Sequence, residues 1–118
     1  MAKKVFITGV SGYLGGALCR LLEHESWCDE VYGVDVKRPL HKFDKLTFRR
    51  LDINDRALGE WVAEVAPDRL VHLAFIVDPI PDEDLMERVN VDGTRNTLAA
   101  AAASRVPKIM VASSGTAY

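Results

Sequence analysis

Thr8-Gly9-Val10-Ser11-Gly12-Tyr13-Leu14-Gly15 is the most informative stretch of the chain, and a further glycine, Gly16, follows it. The apolar run Val5-Phe6-Ile7 comes before it, and a helical pattern of Leu14, Ala17, Leu18, Leu21 and Leu22 comes after. Strand, glycine turn and helix, in that order, are what a dinucleotide site requires. Gly9 suits the tight turn, because a residue without Cβ reaches positive φ at little cost. Gly12 lets a pyrophosphate come close to the backbone, and Gly15 lets the helix lie close on the sheet. The helix N-terminus offers unpaired N–H donors and positive partial charge to phosphates. The competing reading is a glycine-rich turn in an α/β protein with no ligand. The flanking strand and helix, and an acid at the next strand end, argue against it.

Working outward, the first strand is expected over Lys4 to Thr8 and the first helix over Tyr13 to His24. Val31 to Asp35 reads as a second strand ending in a carboxylate, and Lys37 to Lys45, with Pro39 and mixed charges, as a loop. Leu46 to Leu51 alternates in polarity, which suits a third strand at an edge. Asn54 is the expected N-cap of a second helix, whose Leu58, Trp61, Val62 and Val65 share one face before Pro67 stops it. Leu70 to Ala74 is a buried fourth strand, followed by a loop with Pro79 and Pro81. Asp82 caps a third helix over Glu83 to Ser104, in which the alanine run Ala99 to Ala103 favours helix. Lys108 to Ser113 is a fifth strand. Crossovers of this length imply an α/β fold: a doubly wound parallel sheet in the order 3-2-1-4-5, with helices on both faces.

The 118 residues suit one domain, and their 48% hydrophobic and 27% charged composition is ordinary for a globular chain. A formal charge of −2 without a basic block gives no reason to expect nucleic acid. Lys3-Lys4 before an apolar run resembles a signal peptide, but Thr8, Ser11 and the glycines interrupt it and no small-residue cleavage site follows. No uninterrupted apolar run reaches the roughly 18 residues of a membrane span. Cys19 and Cys28 have neither metal nor redox spacing, and Cys19 is expected as a buried thiol. The expected location is the reducing cytoplasm, without disulfides or a bound metal.

In such a sheet, ligands bind outside the carboxyl ends of the strands. Asp35, twenty residues past Gly15, is placed to accept from both hydroxyls of an adenosine ribose and to repel a 2′-phosphate. NAD is therefore expected, with NADP allowed by Lys37 and Arg38, which otherwise read as a solvated loop. A solvated strand-end acid is the plainer reading of Asp35. Asp52 could accept from the adenine amino group beside the Ile53 backbone, or simply cap the next helix. The backbone of Leu73, Ala74 and Phe75 could line the cofactor ribose. His72 reads as a core histidine, and His24 and His41 as surface residues. Ser113 and Ser114 could polarise a substrate oxygen beside the nicotinamide, or could be turn serines; both readings stand.

Six blocks together resemble the extended short-chain dehydrogenases/reductases, the NAD-dependent epimerase/dehydratase family. They are the glycine turn, Asp35, Asp52-Ile53, His72-Leu73-Ala74, Asn90-Val91-Asp92-Gly93-Thr94 and Ser113-Ser114-Gly115-Thr116-Ala117-Tyr118. The resemblance implies a Rossmann domain for NAD or NADP, with a smaller C-terminal substrate domain, in an enzyme acting on alcohol carbons, often of nucleotide sugars. It implies that Gly9, Gly12 and Gly15 form the pyrophosphate turn, with Tyr13 and Leu14 donating backbone N–H. It places Asp35 at the ribose, Asp52 and Ile53 at the adenine, and Ala74 beneath the cofactor. Asn90 would tie its helix to neighbouring strands near the site, and Ser114 matches the active-site Ser/Thr. Phe75 replaces a small residue and would crowd the cofactor.

The family's Tyr-x-x-x-Lys pair is not found in these residues: Ala17 stands four residues after Tyr13, Val36 four residues after Tyr32, and Tyr118 is last. The chain is therefore expected to be the N-terminal portion of a longer enzyme, residues 1–118 being an incomplete Rossmann domain without its substrate domain. By itself it is expected to be inactive. The alternative is a non-catalytic dinucleotide-binding or redox-sensing module. The fifth strand should leave an open edge, so a homo-oligomer is expected.

Overall fold

The computed structural model describes residues 2–76 and 80–112. The elements are β1 (Lys4–Thr8), α1 (Tyr13–Glu23), β2 (Glu30–Asp35), β3 (Leu46–Arg50), α2 (Ala57–Val65), β4 (Arg69–His72), α3 (Glu83–Glu87), a π-helical turn (Arg88–Asp92), α4 (Gly93–Ala103) and β5 (Lys108–Val111). The five strands form one parallel sheet in the order β3-β2-β1-β4-β5. This is the doubly wound α/β architecture expected from the sequence, with β3 at an edge.

Alternation along β1 divides the core between the two faces of the sheet. Val5 and Ile7 join Val10, Cys19, Leu22, Cys28 and Val31 under α1. Phe6 points the other way, to Leu58, Trp61, Val62, Val65 and Ala101 under α2 and α4. Burial on both faces is why β1 reads as an unbroken apolar run. Trp61 is the largest side chain of the second core. It meets the edges of Phe6 and Tyr32 at centroid distances of 5.2 and 5.8 Å, and the Arg49 guanidinium lies 4.3 Å over its ring.

Several elements differ from expectation. In α1 the buried positions are Gly15, Cys19 and Leu22, whereas Leu14, Ala17 and Leu21 face outward. Asn54 does not cap α2: Asp55 accepts from Ala57 N–H at 2.9 Å, while the Asn54 amide donates to Arg88 O and accepts from Asn96. The long third helix is interrupted by the π-helical turn. β4 stops at His72 and β5 at Val111, each two residues short of the expected end, so Leu73 and Ala74 belong to the following loop. Ser113, Ser114 and Tyr118 lie outside the described residues, as does Pro79.

Candidate functional site

A groove of about 520 Å³ opens along the carboxyl ends of β1, β2, β3 and β4. Among the expected site residues, Gly9, Gly12, Asp35, Asp52, Ile53, Leu73, Ala74 and Phe75 line it. Leu85 and Val89, one helical turn apart, add an apolar wall that no local pattern marks.

The glycine turn forms the floor. Gly9 N–H and Val10 N–H both donate to Val34 O, at 2.9 and 3.3 Å, which fixes the turn on the end of β2. Gly9 has φ +75°, and a Cβ there would lie 2.6 Å from the Leu73 backbone. A Cβ on Gly15 would lie 2.5 Å from the carbonyl oxygens of Gly9 and Val10, so this glycine sets the distance between helix and turn. On Gly12 the nearest atom would be 3.5 Å away, leaving the backbone face open. The first bond back into α1 is Gly16 N–H to Gly12 O at 2.9 Å, and no side chain caps the helix. The N–H groups of Tyr13, Leu14 and Gly15 precede that bond and have no carbonyl one turn back within the helix. The Tyr13 and Leu14 side chains point outward, so only their backbones belong to the turn.

Asp35 stands beside the turn, at the end of β2. Its Oδ2 accepts from Ser11 N–H at 3.0 Å and its Oδ1 from Lys37 N–H at 3.3 Å. A carboxylate has about four acceptor positions, so each oxygen keeps one for a ligand. Asp52 is exposed, and its Oδ1 accepts from Asn54 N–H at 2.9 Å, which closes the turn after β3. Ile53 is buried and packs where a side chain on Gly93 would otherwise sit.

The far wall is held by a buried polar chain. Thr94 Oγ1 donates its one proton to Asn90 O at 2.7 Å, so it accepts from His72 Nε2 at 3.0 Å. Nε2 therefore carries the ring proton, and Nδ1 accepts from Thr8 Oγ1 at 2.5 Å. Thr8 Oγ1 in turn accepts from Leu73 N–H at 3.2 Å. Burial lowers the His72 pKa from 6.5 to about 4, in keeping with a neutral ring. Asn90, in the π-helical turn, clamps both backbone groups of Ile76, accepting from its N–H at 2.7 Å and donating to its carbonyl at 2.9 Å. Asn90 thus positions the wall and does not itself line the groove. The sequence marked His72 as a core residue, but its partners Thr8 and Thr94 are distant in the chain and carry no local signal.

A second hollow, of about 380 Å³, lies beyond Ser11 and Gly12 against Tyr13, Arg20, Leu40 and His41. It has no carboxylate to meet a ribose. Among the described residues no three His, Cys, Asp or Glu side chains are grouped to hold a metal ion, and no helix is long and apolar enough to cross a membrane.

The family model for NAD-dependent epimerases/dehydratases matches residues 5–118. The chain belongs to this family. Among solved structures, the Bordetella bronchiseptica enzyme WbmH in complex with NAD+ is similar at 30% identity and a TM-score of 0.81, over 92% of this chain and 38% of that one. Uronate dehydrogenase from Agrobacterium tumefaciens is 26% identical at a TM-score of 0.81, over 96% of this chain and 41% of that one. MoeE5, in complex with UDP-glucuronic acid and NAD, is 28% identical at a TM-score of 0.83, over 98% and 38%. A polyketide synthase–nonribosomal peptide synthetase of Aspergillus flavipes matches at 25% identity over 98% of this chain and 3% of its own length. The chain thus spans about two fifths of these structural relatives and a small part of the synthetase.

Proposed function

We propose that the groove holds NAD(H). The pyrophosphate lies on the open first turn of α1, the adenosine ribose on Asp35, and the adenine beside Asp52 and Ile53. Leu73, Ala74 and Phe75 run along the nicotinamide half. The observation that carries this reading is the pairing of two opposed chemistries side by side in one groove. N–H groups at a helix start without a side-chain cap suit an anion, and a carboxylate with spare acceptor positions suits a diol. The open face of Gly12 is the cradle such a ligand needs. Support also comes from the relatives seen with NAD.

In this reading residues 1–118 are the N-terminal, cofactor-binding portion of a longer enzyme acting at an alcohol or carbonyl carbon, with a nucleotide sugar as substrate. The last point draws on the relative bound to UDP-glucuronic acid. The bound nicotinamide would supply or take up hydride. The chain's own residues bind and orient: Asp35 fixes the adenosine end, the helix start neutralises phosphate charge, and Leu85 and Val89 offer apolar contact. Ser114, outside the described residues, would hold the substrate oxygen by a hydrogen bond. The general base would come from a Tyr-x-x-x-Lys pair beyond residue 118.

Calorimetric titration with NAD tests the site. Asp35→Ala should weaken binding by roughly tenfold or more, as expected for a charged hydrogen-bond acceptor. Equal affinity in wild type and Gly12→Val would overturn the assignment. The 118-residue chain alone should show no turnover, and the parent enzyme should lose turnover on Ser114→Ala.

A further inference from the structure

Ser11 is the one residue of the glycine turn that bonds to the segment leaving β2. Its N–H donates to Asp35 Oδ2 at 3.0 Å, and its hydroxyl donates to Lys37 O at 2.6 Å. Lys37 N–H returns to Asp35 Oδ1 at 3.3 Å. The three residues therefore form a closed ring, in which the Lys37 peptide is held at both ends. Arg50 Nε fixes the preceding carbonyl, Val36 O, at 3.1 Å. Lys37 and Arg38 lie within three residues of Asp35 and carry the charge that a 2′-phosphate would seek.

We infer that Ser11 is a positioning residue for cofactor choice, its hydroxyl holding Asp35 and Lys37 in the arrangement that accepts a free ribose diol and refuses a 2′-phosphate. This inference rests on the reading that the groove binds a nicotinamide dinucleotide. The physical argument is one of competing charges. With the ring closed, the carboxylate stays at the ribose with its outward lone pairs free, and it repels added negative charge. Without the Ser11 hydroxyl, the Lys37 carbonyl loses its donor and the long Lys37–Asp35 contact loses its support. The carboxylate can then turn away while Lys37 and Arg38 approach a phosphate. A hydroxyl that merely touched the pyrophosphate would act differently, because that group is common to both cofactors.

The experiment titrates wild type, Ser11→Ala and Ser11→Thr with NADH and with NADPH, following the fluorescence of each reduced cofactor, and records thermal midpoints alongside. Ser11→Ala should lower the ratio of NADH to NADPH affinity by about fivefold, the effect of one ordinary hydrogen bond. Ser11→Thr, which keeps the hydroxyl, should restore the ratio, and the midpoint of Ser11→Ala should fall by no more than about 5 °C, the scale of one lost hydrogen bond. Equal weakening of both cofactors, or an unchanged ratio while NADH still binds, overturns the inference and leaves the cofactor reading standing. A wild-type protein that binds neither cofactor overturns both.

Discussion

A Cβ at Gly15 would sit 2.5 Å from two carbonyl oxygens, whereas one at Gly12 would find nothing nearer than 3.5 Å. The two glycines therefore fail differently. Gly15→Ala must push α1 off its turn and should cost about 2 kcal/mol in denaturant unfolding, the scale of an overpacked site. Gly12→Val should change stability by less than about 1 kcal/mol, because its φ of −80° and ψ of 178° suit any residue. It should still lower NAD affinity by at least roughly tenfold, which calorimetry would read. His72 adds a pH dependence. Its folded pKa near 4 lies below the ordinary 6.5, so between these values the unfolded chain binds a proton that the folded chain refuses. Stability should be complete above pH 6.5 and fall as the pH drops toward 4. Unfolding midpoints at a series of pH values should fall less steeply in His72→Gln; parallel curves would contradict the assignment.

At the scale of elements, α1 is closed by a side chain from the turn that leads into β3. Lys45 Nζ donates to Leu22 O, Glu25 O and Cys28 O at 2.7, 2.9 and 2.8 Å, and Glu23 accepts from the backbone of Asp44 and Lys45. Lys45→Met should cost about 1–3 kcal/mol, since it strips a charged donor from three carbonyls. α2 ends on Ala66 in the left-handed region, at φ 50° and ψ 61°, where glycine fits without strain. Ala66→Gly should stabilise by about 1 kcal/mol, visible as a raised thermal midpoint. These elements also show what a sequence can disclose. The face of α2 was legible because Leu58, Trp61, Val62 and Val65 are large and regularly spaced, and all four are buried. The face of α1 is not legible in the same way, because the residues touching the sheet, Gly15 and Cys19, are small, and the larger Leu14 and Leu21 point away. Asn54 has the chemistry of a cap but spends its amide on Arg88 and Asn96, which no local pattern reveals. The glycine turn and Asp35 were legible because their spacing is local. The ring through Ser11 and Lys37, and the Thr8–His72–Thr94 chain, were not, because folding alone makes those residues neighbours.

Taken whole, the sheet ends on β5, beside β4 and with no second neighbour among the described residues. Ile109, Met110 and Val111 of this strand are 42, 65 and 40% exposed. An open apolar edge pairs with other chains, so the 118-residue chain should associate as its concentration rises. Sedimentation should show this, and Ile109→Lys with Met110→Lys should suppress it; a monomer at all concentrations would contradict the expectation. The buried imidazole has a different consequence. It sits at the junction of β1, β4 and the first turn of α4, with each ring nitrogen committed to one hydroxyl. Ile76 is held by Asn90, whose carbonyl accepts from Thr94, and Thr8 opens the glycine turn, so a guest that shifts either acts on a partner of the ring. The ring's nitrogen resonances are thus a native spectroscopic reporter, able to register occupancy of the cleft without an added label.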